Sequence, residues 1–177
     1  VANEMGDNLA AVDLGSGRTA KAIVAGESHT CAILDNSAIK CWGRSNEGQM
    51  GKGGKNGDSW QIGDGSGEMG DSLTAIELGS TATAIAAGYH HTCAILDNSS
   101  IKCWGSNNAG QLGLGDTYNR GDLDHISGDS EMGDSLPVVD LGAGRTARAI
   151  TAGDNQTCAI LDNESIKCWG SNTAGQL

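Results

Sequence analysis

Phenylalanine is absent from this chain, and only six of its 177 residues are aromatic, four Trp and two Tyr. So few bulky rings argue against an ordinary helical globule with a large-residue core. With 28 glycines beside frequent Ala, Ile and Leu, the composition suits closely stacked short strands and tight turns. No apolar run reaches 18 residues, so no helix is expected to span a membrane. Basic side chains are scarce, 11 against 22 acidic ones. The resulting net charge of −11 would repel a phosphate backbone, so no nucleic-acid partner is expected. Also missing are an activated-nucleophile motif, a phosphate-binding glycine loop and a metal triad, so no enzymatic activity and no cofactor are expected. Nor is there a signal peptide, and the chain begins at Val1 rather than Met, which reads as a mature product or an excerpt.

What is present is repetition. HTCAILDNSAIKCWG starts at His29, HTCAILDNSSIKCWG at His91 and QTCAILDNESIKCWG at Gln156. The tetrapeptide EMGD starts at Glu4, Glu68 and Glu131, and WGxxxxGQ starts at Trp42, Trp104 and Trp169. Three markers with one period of about 63 residues define three tandem units, 4–67, 68–130 and 131–177, the last cut before a trailing linker. Each unit reads as four short strands. Two are Gly-bounded apolar segments (AAVDLG and AKAIVAG in the first unit), and two are the arms TCAIL and IKCW of a hairpin turned by DNS or DNE. Asn in the turn tolerates positive φ. The expected fold is all-β, three tandem four-stranded propeller-type blades, either part of a β-propeller or an open or polymerised blade array. The connections 51–72 and 113–135 are long, acidic and Gly-rich, and differ most between units, which marks them for contact.

The six cysteines form three pairs ten positions apart. Folding the hairpin with Leu34 opposite Ala38 sets Cys31 against Cys41, and likewise Cys93 against Cys103 and Cys158 against Cys168. Opposed residues of an antiparallel pair lie about 4.5–5.5 Å apart, within disulfide reach. Zinc would want closer-spaced pairs and four ligands, and a redox thiol a CxxC motif, so structural disulfides are the reading. They imply an oxidising compartment, extracellular or at the cell surface.

The run HTCAILDNxxIKCWGSNxxGQLGLGD resembles the regulator-of-chromosome-condensation repeat, through Gly26, His29, Trp42, Gly43, Gly48, Gln49 and Gly51 in the first unit. The second unit matches at Gly88, His91, Trp104, Gly105, Gly110, Gln111, Leu112 and Gly113. The third keeps Gly153, Trp169, Gly170, Gly175, Gln176 and Leu177 but has Gln156 in place of His. The paired cysteines and EMGD linkers resemble a secreted or surface variant of that repeat. The resemblance implies a β-propeller, usually of seven blades, which three units cannot close.

Of the remaining residues, the recurring His29 and His91 read as structural hydrogen-bonding groups, since Gln156 replaces them. Trp60 and Tyr118, in the linkers, are candidate contact residues; Trp60 reads as having no counterpart in the other units. Asp64, Glu68 and Asp71, echoed by Asp129, Glu131 and Asp134, make a permissive but motif-less calcium site. Asn98, Asn155 and Asn163 stand in glycosylation sequons, Asn98 and Asn163 at the hairpin turns. The functional expectation is a non-enzymatic extracellular or cell-surface scaffold, structural or protein-binding, with a protein partner or self-assembly through blade edges or acidic linkers. The alternatives are a secreted propeller acting as a protein inhibitor or receptor-like binder, and a guanine-nucleotide exchange factor for a small GTPase.

Overall fold

The computed structural model describes residues 5–52, 60–122 and 131–177. Hairpin chemistry builds the ten strands found among the described residues. Strands β1 (Ala20–Ala25), β2 (His29–Leu34) and β3 (Ile39–Arg44) form one antiparallel meander, joined at its outer edge by the two-residue β4 (Gln61–Ile62). Strands β5 (Ala82–Ala87), β6 (His91–Leu96) and β7 (Ile101–Gly105) form the second sheet, and β8 (Ala147–Ala152), β9 (Gln156–Leu161) and β10 (Ile166–Gly170) the third. The three meanders share one register. Cys31 faces Cys41, Cys93 faces Cys103, and Cys158 faces Cys168. The first strand slips by one residue at the same place in each, between Ala20 and Ala22, Ala82 and Ala84, and Ala147 and Ala149.

The hairpin turns differ from the expectation in one detail. Positive φ falls on the third turn residue, Ser37, Ser99 or Glu164, not on the asparagine. The asparagine works through its side chain instead. Its carboxamide oxygen accepts the N–H two residues on, Ala38 from Asn36, Ser100 from Asn98 and Ser165 from Asn163. A three-residue loop that ends in a left-handed residue matches the right-handed twist of the arms.

A second difference concerns the leading apolar segments, expected as strands of their own units. They are not strands. The segment 73–78 lies on the outer edge of the preceding sheet, where the Ile76 N–H donates to the Ile39 carbonyl over 2.8 Å. Val139 repeats this on Ile101 over 2.9 Å. Each of these segments therefore buries its apolar residues in the seam between two repeats. Leu73, Ile76 and Leu78 are buried in the first seam, and Leu136, Val139 and Leu141 in the second. One hydrophobic cluster runs from Cys31 and Ile39 through Ile76 and Ile85 to Trp104, and another from Cys93 and Ile101 to Leu161. The core is thus a chain of seams, each made by two neighbouring repeats.

Candidate interaction surface

One hydrogen-bond relay in each seam runs through a buried threonine. The side chain of Thr92 is fully buried, and its hydroxyl donates to the Gln49 carbonyl over 3.0 Å. That hydroxyl also meets His29 Nε2 at 2.9 Å, so it accepts from His29, which fixes the proton on Nε2. Thr157 does the same between the Gln111 carbonyl and His91 Nε2, both at 2.9 Å. The indoles join in: Trp104 Nε1 donates to the Gln49 carbonyl and Trp169 Nε1 to the Gln111 carbonyl, each over 3.0 Å. Both histidines leave Nδ1 buried without a partner, and burial lowers their pKa to about 4. They are therefore neutral, structural groups. The glycines at 26 and 88 make room for the rings, because a Cβ there would clash with His29 Cε1 or His91 Cε1.

Sequence reasoning missed a second relay. Lys40 Nζ donates to the carbonyls of Leu14 and Gly70, both over 2.8 Å. Lys102 Nζ donates to those of Leu78 and Gly133 over 2.9 and 2.7 Å. Each ammonium thus joins the leading segment of its own repeat to the EMGD turn of the next. Burial lowers the pKa of Lys102, against the opposing effect of the Asp134 carboxylate. The signal lay in the recurring IKCW, where a charged residue sits in an otherwise apolar arm.

The cysteines expected to pair are joined, Cys31 to Cys41, Cys93 to Cys103 and Cys158 to Cys168, with Cα atoms 4.0–4.1 Å apart. Asn98, Asn155 and Asn163 are all exposed. Asn98 and Asn163 cap the hairpin tips, and the Asn155 side chain accepts from Gln111 Nε2 at 3.3 Å.

The candidate calcium carboxylates are not brought together, and among the described residues no three His, Cys, Asp or Glu side chains converge. Glu68, Asp71 and Glu131 are each engaged separately. Glu68 accepts the N–H groups of Gly65 and Gly63, which lower its pKa. Asp71 accepts both the hydroxyl and the N–H of Ser16, which lower its pKa in the same way. Glu131 accepts the Gly121 N–H. Asp129 lies outside the described residues.

Trp60 and Tyr118 are both largely exposed. They hold the same place in their linkers, a relation the divergent linker sequences conceal. Ile62 faces Gly43 and Arg120 faces Gly105, so each aromatic stands two residues before the residue that meets the glycine after the strand tryptophan. The second linker is fastened by Arg120, which bonds Asp116 at 2.7 Å, and by Asn119, which donates to Glu47 over 2.9 Å. The surface therefore carries one exposed ring per linker on a hydrogen-bonded frame, beside acidic loops.

The regulator of chromosome condensation (RCC1) repeat matches residues 20–49, 82–111 and 147–176, each covering the three strands of a meander and the turn that follows. A second description of that repeat matches 103–160. The chain belongs to the RCC1 repeat family. It is 28% identical over 152 residues to the X-linked retinitis pigmentosa GTPase regulator of Canis lupus familiaris, covering 86% of this chain and 13% of that protein. It is 26% identical over 198 residues to the ultraviolet-B receptor UVR8 of Arabidopsis thaliana, covering 88% of this chain and 42% of the receptor. The chain thus spans less than half the length of these RCC1-repeat relatives. Among solved structures, human WBSCR16 superposes with a TM-score of 0.68 at 15% identity, over 88% of this chain and 35% of that one. Yeast RCC1 (Prp20) bound to Kap60 gives 0.60 at 20% identity, over 86% and 32%. These likenesses are of fold, and the three meanders are blades of the RCC1 propeller type. Among the described residues no helix is long and apolar enough to cross a membrane.

Proposed function

We propose that this chain is a non-enzymatic extracellular or cell-surface scaffold that binds a protein partner through its linkers. The observation that carries the reading is the pairing of rigidity with display. Every blade is closed by its own disulfide, while Trp60 and Tyr118 stand exposed at one register position. Exposed aromatic residues on an ordered frame present large apolar area at little entropic cost, the usual make-up of a binding hot spot. Disulfides of this kind persist in oxidising surroundings. Named RCC1-repeat relatives include a receptor and a GTPase regulator, and one solved neighbour is bound to Kap60, so a protein-binding role suits the family.

The test is a thiol count and a topology assay on protein taken unreduced from its source. The scaffold reading expects no alkylated cysteine in the intact mass, and surface labelling in unpermeabilised cells. Free thiols together with protection inside intact cells would sink it. That outcome would favour the second reading, nucleotide exchange on a small GTPase, which the regulator named among the relatives supports.

A further inference from the structure

The hairpin tips present an amide nitrogen that neither blade nor seam uses. Asn36, Asn98 and Asn163 stand at the same place in the three tips, and all three are exposed. Asn98 is exposed although repeats flank its blade on both sides, so this exposure belongs to the tip and not to the ends of the chain. In the second and third tips the residue two further on is a serine. Its hydroxyl donates to the asparagine carboxamide oxygen over 2.7 Å, Ser100 to Asn98 and Ser165 to Asn163. The serine N–H donates to the same oxygen, over 3.0 and 3.2 Å. The first tip has Ala38 in that place and keeps the N–H bond to Asn36, without a hydroxyl. The carboxamide nitrogens of Asn98 and Asn163 donate to nothing among the described residues.

The sequon at Asn155 is different, because it is built into a seam. Its Thr157 is fully buried, with the hydroxyl donating to the Gln111 carbonyl and accepting from His91 Nε2. The Asn155 carboxamide oxygen accepts from Gln111 Nε2, and its backbone carbonyl accepts the Ser171 N–H over 2.8 Å. A glycosylation sequon needs its hydroxyl as well as its asparagine. At the two tips both groups reach the surface, whereas at Asn155 the hydroxyl is closed off between repeats.

We propose that Asn98 and Asn163 carry N-linked glycans and that Asn155 does not. This deepens the scaffold reading and rests on its extracellular or cell-surface location. The donor is a lipid-diphosphate-linked oligosaccharide. The carboxamide nitrogen forms a bond to the anomeric carbon, and the bond from that carbon to the diphosphate oxygen breaks. The lipid diphosphate leaves with the electron pair, and the nitrogen gives up one proton to a base of the transferase. The glycans give the blades two unlike ends. Strand β7 runs from the tip at Ile101 to Gly105, where Arg120 pairs and Tyr118 stands two residues away. Its five residues, rising about 3.3 Å each, set tip and linker about 13 Å apart at opposite ends of the blade. The sugars therefore cover the tip end of the second and third blades, and the linker end with Trp60 and Tyr118 stays open to the partner.

Peptide mapping of the protein purified unreduced from its source tests this. Enzymatic release of N-glycans in heavy-oxygen water turns each carrier asparagine into a labelled aspartate, and a sample without the enzyme sets the background. The expected result is the label at Asn98 and Asn163 and none at Asn155. Made in the same host, Ser100→Ala and Ser165→Ala should each lose one glycan and run one step lower on a gel, while Ala38→Ser should gain one at Asn36. These changes exchange residues that the three tips already exchange among themselves, so each variant should keep the parent circular-dichroism spectrum. The proposal is overturned if Asn98 or Asn163 lacks the label, if Asn155 carries it, or if Ala38→Ser gains nothing. An unlabelled chain free of thiols would discard the glycans and leave the scaffold reading standing. Free thiols in a labelled chain would do the reverse.

Discussion

Thr92→Val is the substitution that most directly probes the seam. The two side chains have nearly the same shape, so the change removes a hydroxyl and little volume. Thr92 is wholly buried, and its hydroxyl links His29 Nε2 to the Gln49 carbonyl at 2.9 and 3.0 Å. The carbonyl keeps a bond from Trp104 Nε1 in the variant. The histidine does not fare so well, because its Nδ1 already lacks a partner and its Nε2–H would lose the one it has among the described residues. Leaving one buried donor unpaired costs about 1–3 kcal/mol, and the lost carbonyl bond adds about 1 kcal/mol, so a total near 3 kcal/mol is expected. The chain contains its own control. Thr30 holds the same register position, opposite Trp42 as Thr92 is opposite Trp104, but no described repeat precedes it. Thr30→Val should therefore lie within about 0.5 kcal/mol of the parent. Urea unfolding of the oxidised protein in dilute solution measures both. Equal midpoints for the two variants would refute the claim that the relay, rather than β propensity at that strand position, carries the energy.

Three further outcomes follow from the same geometry. Because folding lowers the pKa of His29 and His91 from 6.5 to about 4, the unfolded chain binds more protons between those values; stability is full above pH 6.5 and falls as pH drops toward 4. The thermal midpoint should show that slope, and the double variant His29→Gln, His91→Gln, which copies Gln156, should flatten it; an unchanged slope assigns the effect to other groups. Lys102→Met strips a buried donor from the carbonyls of Leu78 and Gly133 and should cost about 1–2 kcal/mol, while Lys167→Met, which meets no EMGD turn among the described residues, should cost little in the 177-residue chain; similar unfolding midpoints for the two would count against the clamp. Replacing Cys93 and Cys103 together by alanine should lower stability by about 2–3 kcal/mol from the short loop they close, and a denaturation curve unmoved by the change would rule that bridge out as a stabiliser.

The hairpins were legible because all their determinants lie within about fifteen consecutive residues. The turn sets the register, the register opposes the cysteines, and both recur three times. The functional surface was less so. Trp60 was visible as an exposed candidate, but its equivalence to Tyr118 was hidden because the linkers differ in length and residue type. The leading apolar segments looked like strands of their own units, since apolar pattern and bounding glycines report burial and not which sheet does the burying. The lysine clamps were passed over because an isolated lysine in a strand reads as solvent-facing until the carbonyls that meet it are placed.

By itself, therefore, the sequence determined the repeat, the all-β meander and the cysteine pairing. Tertiary structure alone decided that segment 73–78 caps the previous blade, that His29 donates to the Thr92 hydroxyl, and that Lys40 and Lys102 clamp the EMGD turn of the next repeat. The reason is separation along the chain. A hairpin contact spans ten residues, whereas the seam contacts join residues about 30 to 65 apart, and nothing in either partner's local sequence names the other until the blades are stacked.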